Sequence, residues 1–524
     1  MTRARRPSFI LFITDQQRAD HVGAYGNTIV RTPHIDSLAA RGWLAERCYV
    51  ASPICMPNRA SLMTGRLPSV HGARHNGIPL SLRARTFVER LREHGYRTAL
   101  VGKSHLQNIT RSKPTYPANA ALGEARLDEP GRFNQETQPL WDEQPDFEVD
   151  SPFYGFEDVR LVLNHGDTAG GHYKRWLARE HPETVGLVGP ANAIATPDFE
   201  LSRANQAWRT RVPETLSTTS YVARETCERL AHYAQSTEPF FIQCSFPDPH
   251  HPFTPPGRFW DMYRPEDMSL PRSFHAPHSG RTPHRDWMLS ERDLGRAVKN
   301  APTPFAASER ETREALALNY GSIAHIDEAI GQVLATLARL GLDKDTVLLF
   351  TSDHGDYFGD HQLLWKGPLH YQSIVRVPLI WCDRAGPAGR NGSLCSTLDI
   401  APTVLARAGV NPYNGMQGHD LLPLMKGECE SVRDALLIEE EGQRVMFGFD
   451  RRTRMRTLQT PRWRLSVYEA ADWGELYDLD RDPDECHNLW EDAAHSPVRQ
   501  SLMHELLRQL IRSADESPGP TAIA

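Results

Sequence analysis

Four times along the chain, a short continuous apolar run ends in a cluster of chemically active side chains. Residues 8–14 lead into Asp15 and Gln16, and residues 96–101 into Gly102-Lys103-Ser104-His105. Residues 239–246 lead into Pro247-Asp248-Pro249-His250-His251, and residues 346–351 into Ser352-Asp353-His354. Runs without polar alternation suit strands buried on both faces of a parallel sheet. The carboxyl ends of such strands are where open α/β sheets collect ligands. A further strand is predicted at 376–381, and helices at 33–42, closed by a left-handed glycine cap at Gly42, at 215–233 and at 319–340. The last carries Ile323, Ile326, Ile330, Val333 and Leu334 at helical spacing, which marks a core stripe. The fold class that follows is α/β, a large, mostly parallel sheet flanked by helices.

At 524 residues the chain exceeds one ordinary core. The pattern divides it into residues 1–426, a smaller α+β domain at 427–514 with antiparallel strands and a final helix at 497–513, and a tail at 515–524. A hydrophobic content of 40% and a charged content of 24% are those of a globular protein. The net charge of −7, with basic residues scattered, argues against nucleic acid as a partner. The basic residues 1–7 precede an apolar run at 9–13 that ends in Thr14-Asp15-Gln16-Gln17 without a cleavage site, so it reads as a strand. With no run near the length of a membrane span, the expectation is a cytoplasmic protein with no membrane contact. Eight cysteines without a C-x-x-C pair fit a reducing compartment. Between 109 and 213 periodicity weakens to short apolar patches such as 160–163, and both a pocket-shaping role and an oligomer contact stay open.

The most specific stretch is Ser52 to Arg66, with Cys55-Met56-Pro57-Asn58-Arg59 followed by a small-residue run ending in Thr64-Gly65-Arg66. This Cys-x-Pro-x-Arg pattern resembles the signature of type I sulfatases. Residues 32–42, Lys103 with His105, the Pro249-His250 element, Asp353-His354, Lys366, residues 396–403 and the hairpin at 474–485 resemble other parts of that family in the same order. The resemblance implies an alkaline-phosphatase-like fold with a mixed sheet. It also implies that Cys55 is oxidised by a formylglycine-generating enzyme to formylglycine, whose hydrate is the nucleophile. One hydroxyl then attacks sulfur, and the other, once deprotonated, expels sulfate by C–O cleavage, which a plain serine or cysteine cannot do.

By the same resemblance one divalent cation, calcium or manganese, is held by Asp15, Gln16, Asp353, His354 and an oxygen of modified Cys55. Arg59 and Lys103 serve the nucleophile, and His105 takes the proton of the second hydroxyl. His250, assisted by Lys366, serves the leaving oxygen, and Asn76 contacts the substrate anion. Two positions depart from the family pattern. Gln16 replaces a second Asp, and His354 stands where many sulfatases have Asn, a histidine there being more typical of phosphonate monoester hydrolases and some sulfatases close to them. Imidazole favours manganese or zinc over calcium. The expected substrate is a small sulfate ester, aryl sulfates foremost, and the expected assembly is a homo-oligomer. Phosphonate monoester or phosphodiester hydrolysis on the same scaffold, and a silent binding protein, are the competing readings.

Overall fold

A computed structural model of the chain describes residues 6–114, 125, 129–300 and 303–523. Residues 1–5 of the basic amino terminus, part of the 109–213 segment and the last residue of the tail lie outside that set.

Nine strands form one mixed sheet. In spatial order they are Gly389–Ser396, Trp43–Tyr49, Arg376–Cys382, Thr346–Ser352, Ser8–Thr14, Phe240–Ser245, Arg97–Gly102, Asp158–Leu163 and Gly170–Gly171. The run from Thr346–Ser352 to Asp158–Leu163 is parallel, and Arg376–Cys382 is antiparallel to both of its neighbours. Ser8–Thr14 lies inside the parallel block with every residue buried, which is why its sequence does not alternate. Ile10 and Phe12 enter a core with Ile326, Ile330 and Val333 of the Glu309–Arg339 helix. Phe9, Leu11 and Ile13 enter the opposite core with Leu62, Met63, Val404 and Leu405.

Register turns chain-distant strand ends into one rim. Thr14 pairs with Ser352, Ile13 with Ser245, and Ser245 with Gly102, so the residues after each strand emerge side by side. Gly102 is needed there, because at φ 104° a Cβ would stand 1.8 Å from the carbonyl oxygen of Ser245. Gly42, read from the sequence as a left-handed helix cap, is instead extended at φ −126°. Its small size answers a close approach, a Cβ falling 2.5 Å from the Trp381 carbonyl oxygen. The long helix starts at Glu309 rather than at 319. Its charged first turns hide it from an apolar-stripe reading, and a capping box of Ser308 and Glu311 starts it.

Near the carboxyl terminus, Leu436–Glu441, Arg454–Gln459, Trp463–Tyr468 and Gly474–Asp478 form a four-stranded antiparallel sheet, packed against the Ser496–Arg512 helix. The Glu439 amide donates to the Ala51 carbonyl at 2.9 Å, joining this sheet to the segment just before Cys55. Among the described residues, no helix is long and apolar enough to cross a membrane.

Candidate active site

Cys55 is the first residue of the Cys55–Thr64 helix, in which all positions are buried. Asn58 locks this helix to the sheet rim. Its Nδ2 donates to the Asp353 carbonyl at 2.6 Å and its Oδ1 accepts from the Ala51 amide at 2.9 Å. The Cys55 side chain is thereby held over the strand ends.

Asp15, Cys55, Asp353 and His354 bring ligand atoms within 4.8 Å of one another, all buried. His354 Nε2 lies 3.1 Å from Cys55 Sγ, 3.5 Å from Asp353 Oδ1 and 3.7 Å from Asp15 Oδ1. Its Nδ1 donates to the Gly355 carbonyl at 2.9 Å, which leaves the Nε2 lone pair facing the cluster. A backbone carbonyl fixing the far nitrogen is the usual arrangement for a metal-ligating histidine. Burial opposes the charged form of His354 most strongly, but Asp353 and Cys55 together outweigh it and raise the imidazole above its ordinary value. A cation among these four groups would take the place of that proton, so the donor set fits a divalent metal.

Gln16, expected as a further ligand, hydrogen-bonds through its side chain to residues outside these four. Its Oε1 accepts from Lys366 Nζ at 2.7 Å, while its Nε2 reaches Asp356 and lies 3.1 Å from His251 Nδ1. Only its backbone amide serves the cluster, donating to Asp353 Oδ1 at 3.0 Å. A neutral amide bracing a lysine is what the missing carboxylate leaves behind.

Three cations ring the cluster. Arg59 donates through Nε to Asp353 Oδ2 at 2.7 Å, and its terminal nitrogens reach Asp15 at 3.4 Å, the Lys103 carbonyl at 3.1 Å and Ser245 at 3.0 Å. With its donors so engaged, it orients the two carboxylates. Lys103 pairs with Asp15 and donates to His165 Nε2 at 2.7 Å. Lys366 Nζ lies 3.1 Å from His250 Nε2. Burial alone would raise both Asp15 and the Cys55 thiol. Lys103, His165, His250 and Arg59 together outweigh it at Asp15, and Lys366, His354 and Lys103 together outweigh it at Cys55, so both groups lie below their ordinary values.

His105 is buried with Nδ1 lacking a hydrogen-bond partner, and burial together with Lys103 and Arg59 keeps it well below the usual imidazole range. Asn76 Oδ1 accepts from the Met56 amide at 3.1 Å, beside Cys55. His250 donates through Nδ1 to the His251 carbonyl, leaving Nε2 to accept from Lys366.

His165 was not anticipated. It stacks on His250 with centroids 3.8 Å apart and an interplanar angle of 9°, and its Nε2 lies 3.6 Å from Asp15 Oδ2. It stands two residues beyond the Asp158–Leu163 strand, the same placement that marks the other site residues. Replacing His165 with alanine removes one of two partners of Lys103 and unstacks His250. The expected result is a roughly 10- to 100-fold fall in kcat/KM for an aryl sulfate, checked by steady-state kinetics.

The sulfatase family model matches residues 7–410. The chain belongs to the sulfatase family. A second model, the carboxyl-terminal part of N-sulphoglucosamine sulphohydrolase, matches residues 359–512 of this sulfatase. An arylsulfatase of Clostridium perfringens is 26% identical over 96% of this chain and 94% of its own length. The multifunctional alkaline phosphatase superfamily protein PehA of Trinickia caryophylli is 27% identical over 98% of this chain and 96% of its own. The crystal structure of the phosphonate monoester hydrolase of Agrobacterium radiobacter superposes with a TM-score of 0.77 at 26% identity, covering 99% of this chain and 98% of that one. The sulfatase thus shares an alkaline-phosphatase-like fold with these relatives, and sulfuric ester hydrolysis is its reaction class.

Proposed function

We propose that this sulfatase hydrolyses sulfate monoesters, aryl sulfates among them, using one divalent cation and a formylglycine made from Cys55 by a separate maturation enzyme. The observation that carries the reading is Cys55 itself, set at a buried helix start between three other donor residues, Asp15, Asp353 and His354, and two lysines. Hydrated formylglycine supplies an oxygen nucleophile and a second hydroxyl through which the aldehyde is regenerated. The cation supplies Lewis acidity and charge neutralisation, and Asp15, Asp353, His354 and the modified Cys55 would hold it. The imidazole in this set favours manganese over calcium.

The remaining roles follow from charge and protonation. Lys103 and Lys366 flank Cys55 and oppose the negative charge that develops on the sulfuryl oxygens. Burial first, with His165 and Lys366 adding, holds His250 well below the usual imidazole range, so it stands neutral at neutral pH. The proton for the leaving oxygen therefore resides on the Lys366 ammonium, and His250 Nε2, as its acceptor, positions it. His105, neutral and with a lone pair uncommitted, accepts the proton of the second hydroxyl. Asn76 holds the Cys55–Met56 turn and borders the substrate anion.

Phosphonate monoester hydrolysis is the second reading, favoured by the likeness to the Agrobacterium radiobacter enzyme and by His354 in the donor set. Kinetics on an aryl sulfate and the matching aryl phosphonate monoester separate the two. The protein used must show the tryptic peptide 48–59 about 18 Da lighter than its thiol form. The expected outcome is a higher kcat/KM for the sulfate. A preference for the phosphonate overturns the substrate assignment, and turnover by protein whose peptide is wholly unmodified overturns the nucleophile.

A further inference from the structure

We propose a second metal site, made by His278, His361 and Cys486, that takes a borderline-soft transition-metal cation such as zinc and ties together three segments distant in the chain. The three side chains bring ligand atoms within 4.8 Å of one another, with His361 and Cys486 buried and His278 half-buried. None of them belongs to the cluster around Cys55.

Hydrogen bonding settles which nitrogens are available. His278 Nδ1 is 2.8 Å from the Ala276 carbonyl, which can only accept, so Nδ1 carries the proton and Nε2 offers its lone pair. That Nε2 faces His361 Nδ1 at 2.8 Å. A cation between the two rings would spread them to roughly 3.3 Å, the separation that zinc–nitrogen bonds of about 2.0–2.1 Å give in a tetrahedron. The Ala276 carbonyl then plays the orienting part that backbone carbonyls play for metal-bound histidines.

The surroundings are built to hold these side chains still. The Ser279 amide donates to the Cys486 carbonyl at 3.0 Å, and the Asn488 amide to the Ser279 carbonyl at 2.9 Å, so two of the three segments are already paired. The His361 amide donates to Ser273 Oγ at 3.1 Å, and the His361 ring stacks on Tyr371 with centroids 3.6 Å apart. His361 is also held at φ 55°, a left-handed conformation that a non-glycine residue keeps only where its neighbours impose it.

Two imidazoles and a thiolate suit zinc and disfavour the hard cations calcium and magnesium, which take oxygen donors. Binding moves the His361 proton from Nδ1 to Nε2, freeing the Nδ1 lone pair, and releases the Cys486 proton to solvent as the sulfur–metal bond forms. A cavity of about 210 Å³, which His361 lines together with Asp360, Asp484 and Glu485, can supply water at the fourth position. The site would clip the loop carrying His278, the turn at His361 and the carboxyl-terminal segment at Cys486 into one unit.

The test uses the full chain carrying Cys55→Ser, whose catalytic cluster has no sulfur to offer. Cobalt(II) added to it should produce a sulfur-to-metal charge-transfer absorption. Adding Cys486→Ser should abolish that absorption, and adding His278→Gln should weaken cobalt binding by more than about tenfold. No such absorption in Cys55→Ser, or one that survives Cys486→Ser, overturns the proposal. Zinc X-ray absorption on Cys55→Ser alone needs no further substitution. A sulfur neighbour at about 2.3 Å supports the site, and a shell of nitrogen and oxygen only rejects it.

Discussion

Replacing Cys55 with alanine is expected to lower kcat/KM for an aryl sulfate by about a millionfold, the scale on which loss of a covalent nucleophile is felt. Among the described residues, the other groups at the rim are carboxylates pinned by Arg59 and Lys103 and imidazoles, none of which carries the two hydroxyls that the proposed reaction needs. Cys55→Ser is the more telling variant. A serine hydroxyl can attack sulfur once, but it lacks the second hydroxyl that releases sulfate by C–O cleavage. Rapid mixing should therefore show a burst of about one equivalent of phenol and then arrest. Sustained turnover by Cys55→Ser within tenfold of the parent sinks the two-hydroxyl requirement.

The second large effect is expected at Asp353, and it is twofold. Asp353→Ala removes a cluster carboxylate and leaves the buried Arg59 without the partner of its Nε, 2.7 Å away. Breaking a buried pair from one side costs about 3–5 kcal/mol. The residual contact from Arg59 to Asp15 at 3.4 Å puts the expected loss near the lower end. Denaturant unfolding should show that loss together with absence of tightly bound divalent metal by elemental analysis and absence of turnover. Asp353→Asn, which keeps the shape and an acceptor, should recover stability more than activity. Full metal occupancy in Asp353→Ala contradicts the ligand assignment.

Much of this was legible before any coordinates. The apolar runs at 8–14 and 346–351 were readable as buried parallel strands because burial on both faces erases alternation, and their register alone gathers Asp15, Lys103 and Asp353. What stayed hidden depends on long-range partners. The side chain of Gln16 is turned by Lys366 and Asp356, more than three hundred residues away, and no local pattern records that. His165 escaped because it lies in a stretch of weak periodicity, although the short run at 160–163 ahead of it was visible as apolar. Gly42 was assigned a left-handed cap because glycine has two uses, and only the approach of Trp381 tells which applies.

The burial of the Cys55–Thr64 helix bears on the order of events in the life of this protein. Cys55 is 2% exposed, and the residues that follow it are coiled and packed on every side. In the finished fold the segment around Cys55 cannot be drawn out into an extended strand without unmaking a core. The proposed oxidation of Cys55 would therefore precede folding, and a molecule that folds first would keep the thiol for as long as it stays folded.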